Sequence, residues 1–459
     1  MRVGMGSNSV LMRAIVIAGS MAIIYYLLVQ ITSGSELEIV LLVALVYSGM
    51  VILNPRLGLY SLCVSLLLIP SGFLDSVTRP LSPNLAVMVA ATWAWGMSAV
   101  LSRLIIRSTA LYIPCAVAGA VTWIGLVRYG SQFYNVPLIF TESMVLFVLT
   151  FHLLRDRTHI RRLLMVLVIA FLVRNAIDIG QTIYSLQTGS IYGAIRDDAL
   201  LFGGTSTSHS DLRALVLPLL IIGVAYAPNL PSRIVIGISL VLDVVWLGLA
   251  GTRTGVIGLT VALLSTVVLL PRSKQRWTVL LAVPMGVLAL LVATQLSEAG
   301  PHVSERTQID LDLGFGGGRA ASWADAFNAF AASPLIGSGM GASHSYMLGA
   351  GRTMGLAFLL PFFAGLLIIT SHCAWLRKTR YDQEGYAIAS GVVGMLIVVF
   401  VLSFTGTMLQ GLSSFVFWML VGVVESIYLT ARVQRAVVDK VPERRTDPAS
   451  AGAGEPWQG

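Results

Sequence analysis

From about residue 14 to residue 431 the sequence is a succession of long apolar runs separated by short, arginine-rich links. A run of eighteen or more apolar residues reads as a membrane-spanning helix, because lipid offers no partner for backbone N–H and C=O groups and a helix satisfies them internally. The composition agrees. Charged residues make up 11% of the chain and apolar residues 56%, whereas soluble globular proteins carry about 25% charge. A soluble enzyme, a disordered chain and a nucleic-acid-binding domain are excluded, in spite of a net charge of +8. The expected fold is an all-α polytopic membrane protein.

Spans are expected near 14–31, 37–54, 57–74, 84–102, 110–127, 136–154, 163–183, 212–227, 234–250, 255–270, 277–295, 355–376, 387–406 and 411–431. That is about fourteen, with twelve as the other count. Arg2 and Arg13 precede an apolar stretch longer than a signal-peptide h-region, so it reads as an uncleaved first helix. Basic residues collect on the side of cytoplasmic loops. With both termini cytoplasmic, most of the 30 Lys and Arg residues fall on that side. Arg79, Arg128, Arg196, Arg213, Arg253, Arg306, Arg319 and Arg352 lie outside, and Arg174 lies within a span. Cys63, Cys115 and Cys373 each sit in an apolar run, which argues against a disulfide framework. The expected organisation is N-terminal spans over 1–183, an external loop over 184–211, central spans over 212–295 and a large external loop over 296–354. C-terminal spans over 355–431 and a disordered cytoplasmic tail over 432–459 complete it.

Long loops in compact proteins are usually functional or disordered, and the two external ones hold His209, His302 and His344. Arg253 sits in Gly251-Thr252-Arg253-Thr254-Gly255, a tight link between two apolar helices. A cation held there against the positive-inside bias points to function, the alternative being a snorkelling surface arginine. Arg319 follows Gly316-Gly317-Gly318 and opens a stretch in which Ala320, Trp323, Ala324, Phe327 and Phe330 have helical spacing. This predicts a short amphipathic helix lying on the membrane. A cation in a first helical turn opposes the macrodipole unless an anion binds there. Gly337, Gly339 and Gly341 predict a tight turn that returns the chain to the membrane and leaves His344 at the external mouth of the bundle. Histidine suits proton transfer near neutral pH, although a lone loop histidine is more often a surface residue. Arg196, Asp197 and Asp198 form a charged cluster. Arg174 and Asp178, four apart, share one helix face and pair structurally. Asp310-Leu311-Asp312 is a short match to a metal-binding D-x-D.

Four elements in order resemble the O-antigen ligase and polymerase superfamily of bacterial inner-membrane glycosyltransferases. They are Thr252-Arg253-Thr254-Gly255 at a span end, Gly318-Arg319 with Trp323 opening the long loop, Pro334-Leu335-Ile336-Gly337-Ser338-Gly339, and His344 followed eleven residues later by Gly355. Arg196, Gly204-Thr205 and Asp211-Leu212 resemble an earlier element of that family, an arginine followed by G-T and an N-x-L-like helix start. The asparagine that often follows the loop histidine is Ser345 here, and Arg352 and Thr353 stand near the place of a missing acidic residue.

The resemblance implies a GT-C-like helical fold whose long periplasmic loop carries short amphipathic helices. It implies transfer of a glycan from an undecaprenyl-diphosphate carrier to a sugar hydroxyl at the periplasmic face of the inner membrane. Transfer would be direct, inverting and metal-independent, with no cofactor and no nucleotide sugar. Catalysis would fall to His344, Arg319 and Arg253, and substrate binding to Arg196, Arg253, Arg319, Gly337, Gly339 and Trp323. Implied partners are the lipid-linked donor, a glycan or lipid-core acceptor, membrane lipids and a chain-length regulator, with no nucleic acid. Fourteen spans favour a surface-polysaccharide polymerase; the alternative is a ligase that transfers to lipid A-core. A flippase or other transporter would share the hydropathy profile. It would more often show inverted repeats, broken helices at the midplane and short loops throughout; this sequence shows no internal repeat and has two long external loops.

Overall fold

The structure is a computed structural model and describes residues 49–51, 53–68, 83–101, 107–130, 133, 135–187, 206–250, 253–270, 319–339, 345–379, 383–405, 409 and 411–440. Among these it is helical, with α1 Pro55–Leu68, α2 Pro83–Leu101, α3 Tyr112–Tyr129, α4 Asn135–Leu153, α5 Arg157–Gln187 and α6 Ser206–Tyr226. There follow α7 Leu230–Ala250, α8 Arg253–Leu269, α9 Arg319–Ala332, α10 Tyr346–Thr379, α11 Gln383–Thr405 and α12 Leu412–Lys440. Among the described residues eight helices are long and apolar enough to cross a membrane, and α1 and most of α8 are shorter apolar helices. The chain is an all-α polytopic membrane protein. Expected spans near 14–31 and 277–295, and most of 37–54, lie outside the described residues.

The membrane imposes its own side-chain order. On α7, Ile234, Ile238 and Val241 face outward, while Ser239, Asp243 and Trp246 are buried. Each triplet is spaced four then three residues, so each forms one stripe of the helix. The apolar stripe meets lipid and the polar one faces protein, as expected where an unpaired polar group in hydrocarbon is costly. Helices α6, α11 and α12 form the interior. Small residues let them approach closely. A Cβ on Gly422 of α12 would stand 2.8 Å from the Phe147 carbonyl oxygen of α4, and one on Gly394 of α11 would stand 2.8 Å from Cβ of Pro218 in α6.

Three boundaries differ from the sequence reading. Helix α6 begins at Ser206, so His209 and Asp211 belong to a helix and not to a loop. Polar residues fill its first turns, and hydropathy cannot tell such a turn from a link. Helix α12 runs on to Lys440, so Arg432 through Lys440 of the expected tail are helical. Helix α10 begins at Tyr346 and kinks at Gly355, where the span was expected to start.

Candidate functional site

Those sequence-derived site residues that the structure describes lie toward one end of the bundle. Gly258 of α8 sets the level: a Cβ there would meet Ala214 Cβ of α6 at 2.4 Å and Leu402 Cδ1 of α11 at 3.2 Å. Toward the same end lie Arg253 and buried Thr254 on α8, buried Asp211 on α6 and buried Ser403 on α11. The Ser403 carbonyl accepts a hydrogen bond from Ser345 Oγ at 2.9 Å. The same Oγ accepts from Leu348 N–H at 3.3 Å and so caps α10. Ser345, which stands where the resemblance leads one to expect asparagine, therefore anchors the chain to α11. His344 precedes Ser345 by one peptide unit and itself lies outside the described residues, as do Arg196 and the D-x-D at Asp310–Asp312. By backbone position Arg253 and Arg319 are the first residues of α8 and α9.

A glycine lock holds α9 to this end. The kink at Gly355 (φ 65°) breaks the α10 ladder, and the turn after α9 takes up the released groups. Leu356 N–H donates to the Pro334 carbonyl at 2.8 Å, Ala357 N–H to the Leu335 carbonyl at 2.9 Å, and Ser338 N–H to the Arg352 carbonyl at 2.8 Å. Gly337 has φ 72°, and a Cβ there would stand 2.4 Å from the Thr353 carbonyl. Glycine is needed at this turn for both reasons. Gly339 lies against the ring of Tyr129, whose hydroxyl donates to the Gly337 carbonyl at 3.1 Å. Both glycines, read from the sequence as substrate-binding, thus have a packing role in the structure. An Asp325–Arg352 ion pair ties α9 to α10 as well.

Helix α9 forms as expected, but its buried face is rotated. Ala326 is fully buried, Trp323 and Phe330 are half-buried, and Ala320, Ala324 and Phe327 are exposed. The apolar residues split between two surfaces, one against α10 and one outward with Leu335 and Ile336. Periodicity alone merges the two into one stripe. Trp323 Nε1 is buried without a hydrogen-bond partner among the described residues.

Beside this layer lies a buried ionic cluster that the sequence showed only in part. Arg213 of α6 is fully buried. It pairs with Asp178, donates from Nε to Asn175 Oδ1 at 3.0 Å and from Nη1 to the His209 carbonyl at 3.2 Å. Its Nε is 3.6 Å from Asp243 Oδ1, which accepts from Asn175 Nδ2 at 2.8 Å. The guanidinium lies 3.7 Å over the Trp246 ring, and His209 stacks on the same indole. Arg174 is 3.7 Å from Asp178 and donates to the Leu67 carbonyl of α1 at 3.0 Å. The expected Arg174–Asp178 pair is real, but it belongs to a cluster joining α1, α5, α6 and α7. Two guanidiniums answer two carboxylates, the condition under which charge survives burial. Arg213, placed outside by the charge count, and His209, expected in an external loop, are core residues. The available signal was Arg213 four residues after His209 on one helix face, together with a lone Asp243 in an apolar run. Asp211 is a further buried acid, and neither of its carboxylate oxygens has a hydrogen-bond partner among the described residues.

Residues 238–354 match a family model described as O-antigen ligase. The matched segment runs from α7 to the start of α10 and contains Arg253, Arg319, Trp323, Gly337, Gly339 and His344, while Arg196 and the cluster residues of α5 and α6 precede it. A search of curated proteins found no match.

Proposed function

We propose that this multi-pass membrane enzyme of the O-antigen ligase and polymerase superfamily transfers a glycan from a lipid-linked diphosphate donor to a sugar hydroxyl at the external membrane face. The observation that carries the reading is a convergence. Arg253 and Arg319 each head a helix at one end of the bundle, and Ser345, the residue next to His344, is fastened to the Ser403 carbonyl of α11 at that end. Helix N-termini present free N–H groups and a positive dipole end, and arginine adds a planar fork that binds phosphate oxygens bidentately.

In this reading Arg253, Arg319 and Arg196 neutralise the diphosphate as the bond from the anomeric carbon to its phosphate oxygen breaks. His344 takes the proton of the acceptor hydroxyl as the new glycosidic bond forms on the opposite face, inverting the anomeric centre. No metal and no cofactor takes part. Trp323 lines the sugar path. Asp211 accepts hydrogen bonds from acceptor hydroxyls. The arginine-rich end faces the cytoplasm and the glycine lock faces the periplasm of a bacterial inner membrane. The fourteen spans expected from the sequence favour a repeat-unit polymerase, and the description of the matched family favours a ligase. Offering the purified protein either a second lipid-linked repeat unit or lipid A-core as acceptor separates the two.

The decisive experiment is transfer by purified protein given lipid-linked glycan and acceptor without an ion gradient, which also excludes a transporter. Arg253→Ala and Arg319→Ala should each lower the rate by about a hundredfold or more, with poor rescue by Lys. His344→Ala should cost about 10²–10⁴ in rate with donor binding kept. A His344→Gln variant with wild-type rate and unchanged pH profile would remove the base role. Near-normal transfer in either arginine variant would remove that residue from the donor site.

A further inference from the structure

At the end opposite the glycine lock, helices α5, α6, α7, α11 and α12 part around a cavity of about 1140 Å³. Among the described residues its rim carries Arg155, Arg157, Arg161 and Arg162 and the acids Asp156 and Glu384. Both acids already have cationic neighbours. Glu384 takes a two-pronged bond from Arg161 at 2.9 and 2.7 Å, and Asp156 lies 4.0 Å from Arg56. Among the described residues the rim therefore carries more arginines than acids. Below it the wall turns apolar, with Val168 of α5, Leu219 and Leu220 of α6 and Ile236 of α7. The order, from a basic mouth at the helix ends to an apolar cleft toward the bundle middle, matches an amphiphile with an anionic head.

We propose that this cavity is a binding site for an anionic glycerophospholipid, its phosphate among the rim arginines and an acyl chain against the α5–α6–α7 wall. Three features select that occupant. The charge is complementary, since basic pockets between spans recognise anionic lipid heads. The wall offers hydrocarbon contact that a soluble anion would not use. The cavity lies at the far end from Arg253, Arg319 and Ser345, which suits a lipid of the bulk leaflet better than the reacting donor. The lipid would fill the gap between α5 and α6, whose other ends are clamped by Arg213 and Asp178. The inference rests on the membrane-spanning fold and stands independently of the proposed transfer reaction.

The test uses the full chain purified into nanodiscs of phosphatidylglycerol and phosphatidylcholine in equal parts, with retained lipid counted by native mass spectrometry. Wild-type protein should retain phosphatidylglycerol in preference by roughly fivefold per rim arginine engaged. R155Q/R162Q should bring the ratio close to one. V168W, which leaves the rim intact and fills the cleft, should lower retention of both lipids and keeps the test valid if the arginine variant does not fold. No preference in the wild type, a preference that survives in folded R155Q/R162Q, or undiminished retention in folded V168W would overturn the proposal. So would displacement of phosphatidylglycerol by an equimolar polyprenyl phosphate, which would assign the cavity to the glycan carrier.

Discussion

At one end of the bundle α5, α6 and α7 are joined by buried guanidiniums and carboxylates. At the other end the same three helices diverge around a cavity with an exposed arginine rim. Arginine is abundant at both ends and does opposite things. Arg213 is fully buried, stacked on Trp246 and held by Asp178, Asn175 and the His209 carbonyl. Arg161 keeps more than half its side-chain surface in solvent while it holds Glu384. The difference teaches that a charge count along a membrane sequence measures orientation only for those charges that reach water. A guanidinium that finds carboxylates inside the bundle leaves that count and becomes part of the core.

The contrast can be broken most forcefully at Arg213. Arg213→Ala should leave Asp178 and Asp243 without their main counter-ion and cost about 3–5 kcal/mol. The expected result is a large drop in thermal stability and in yield of monodisperse protein. Arg213→Met combined with Asp178→Leu should recover much of that loss, since removing both partners leaves less uncompensated charge. If Arg213→Ala melts like the wild type, the cluster is not a clamp.

The next effect concerns the glycine lock. Gly337→Ala puts a Cβ within 2.4 Å of the Thr353 carbonyl at a φ of 72°. Backbone strain of this kind costs about 1–3 kcal/mol. Helix α9 should loosen from α10, so protease sensitivity at 319–339 should rise and transfer should fall even though no donor contact is removed. Unchanged protection of α9 would show that the turn tolerates the methyl group.

Asp211 gives an effect of opposite sign. It is a buried carboxylate without a hydrogen-bond partner among the described residues, so Asp211→Leu should stabilise the protein by about 1–3 kcal/mol. The same change should raise the acceptor KM and leave donor binding intact if Asp211 serves the acceptor. A destabilised variant would indicate that the carboxylate is satisfied in the membrane.

The smallest effect belongs to the open end. Arg161→Ala breaks an exposed ion pair with Glu384 and should change stability by no more than about 1 kcal/mol. A loss as large as that of Arg213→Ala would erase the distinction between the two ends.

The sequence by itself determined the helical membrane fold. Runs such as 387–406 and 411–431 are too apolar and too long for another environment, and α11 and α12 cover them. It also singled out Arg253 and Arg319, which interrupt an apolar or glycine-rich context, and each opens a helix. The helical register of α9 was legible too, but not which of its apolar residues would face α10 and which would face outward. Only the tertiary structure decided that His209 and Arg213 are interior and that Gly337 and Gly355 interlock. It alone showed that α5 and α6 clamp at one end and part at the other. The physical reason is common to all three. Local hydropathy reports a residue's preference for water or lipid, whereas the burial of a charge or the need for a missing Cβ depends on which atoms of a distant helix stand opposite.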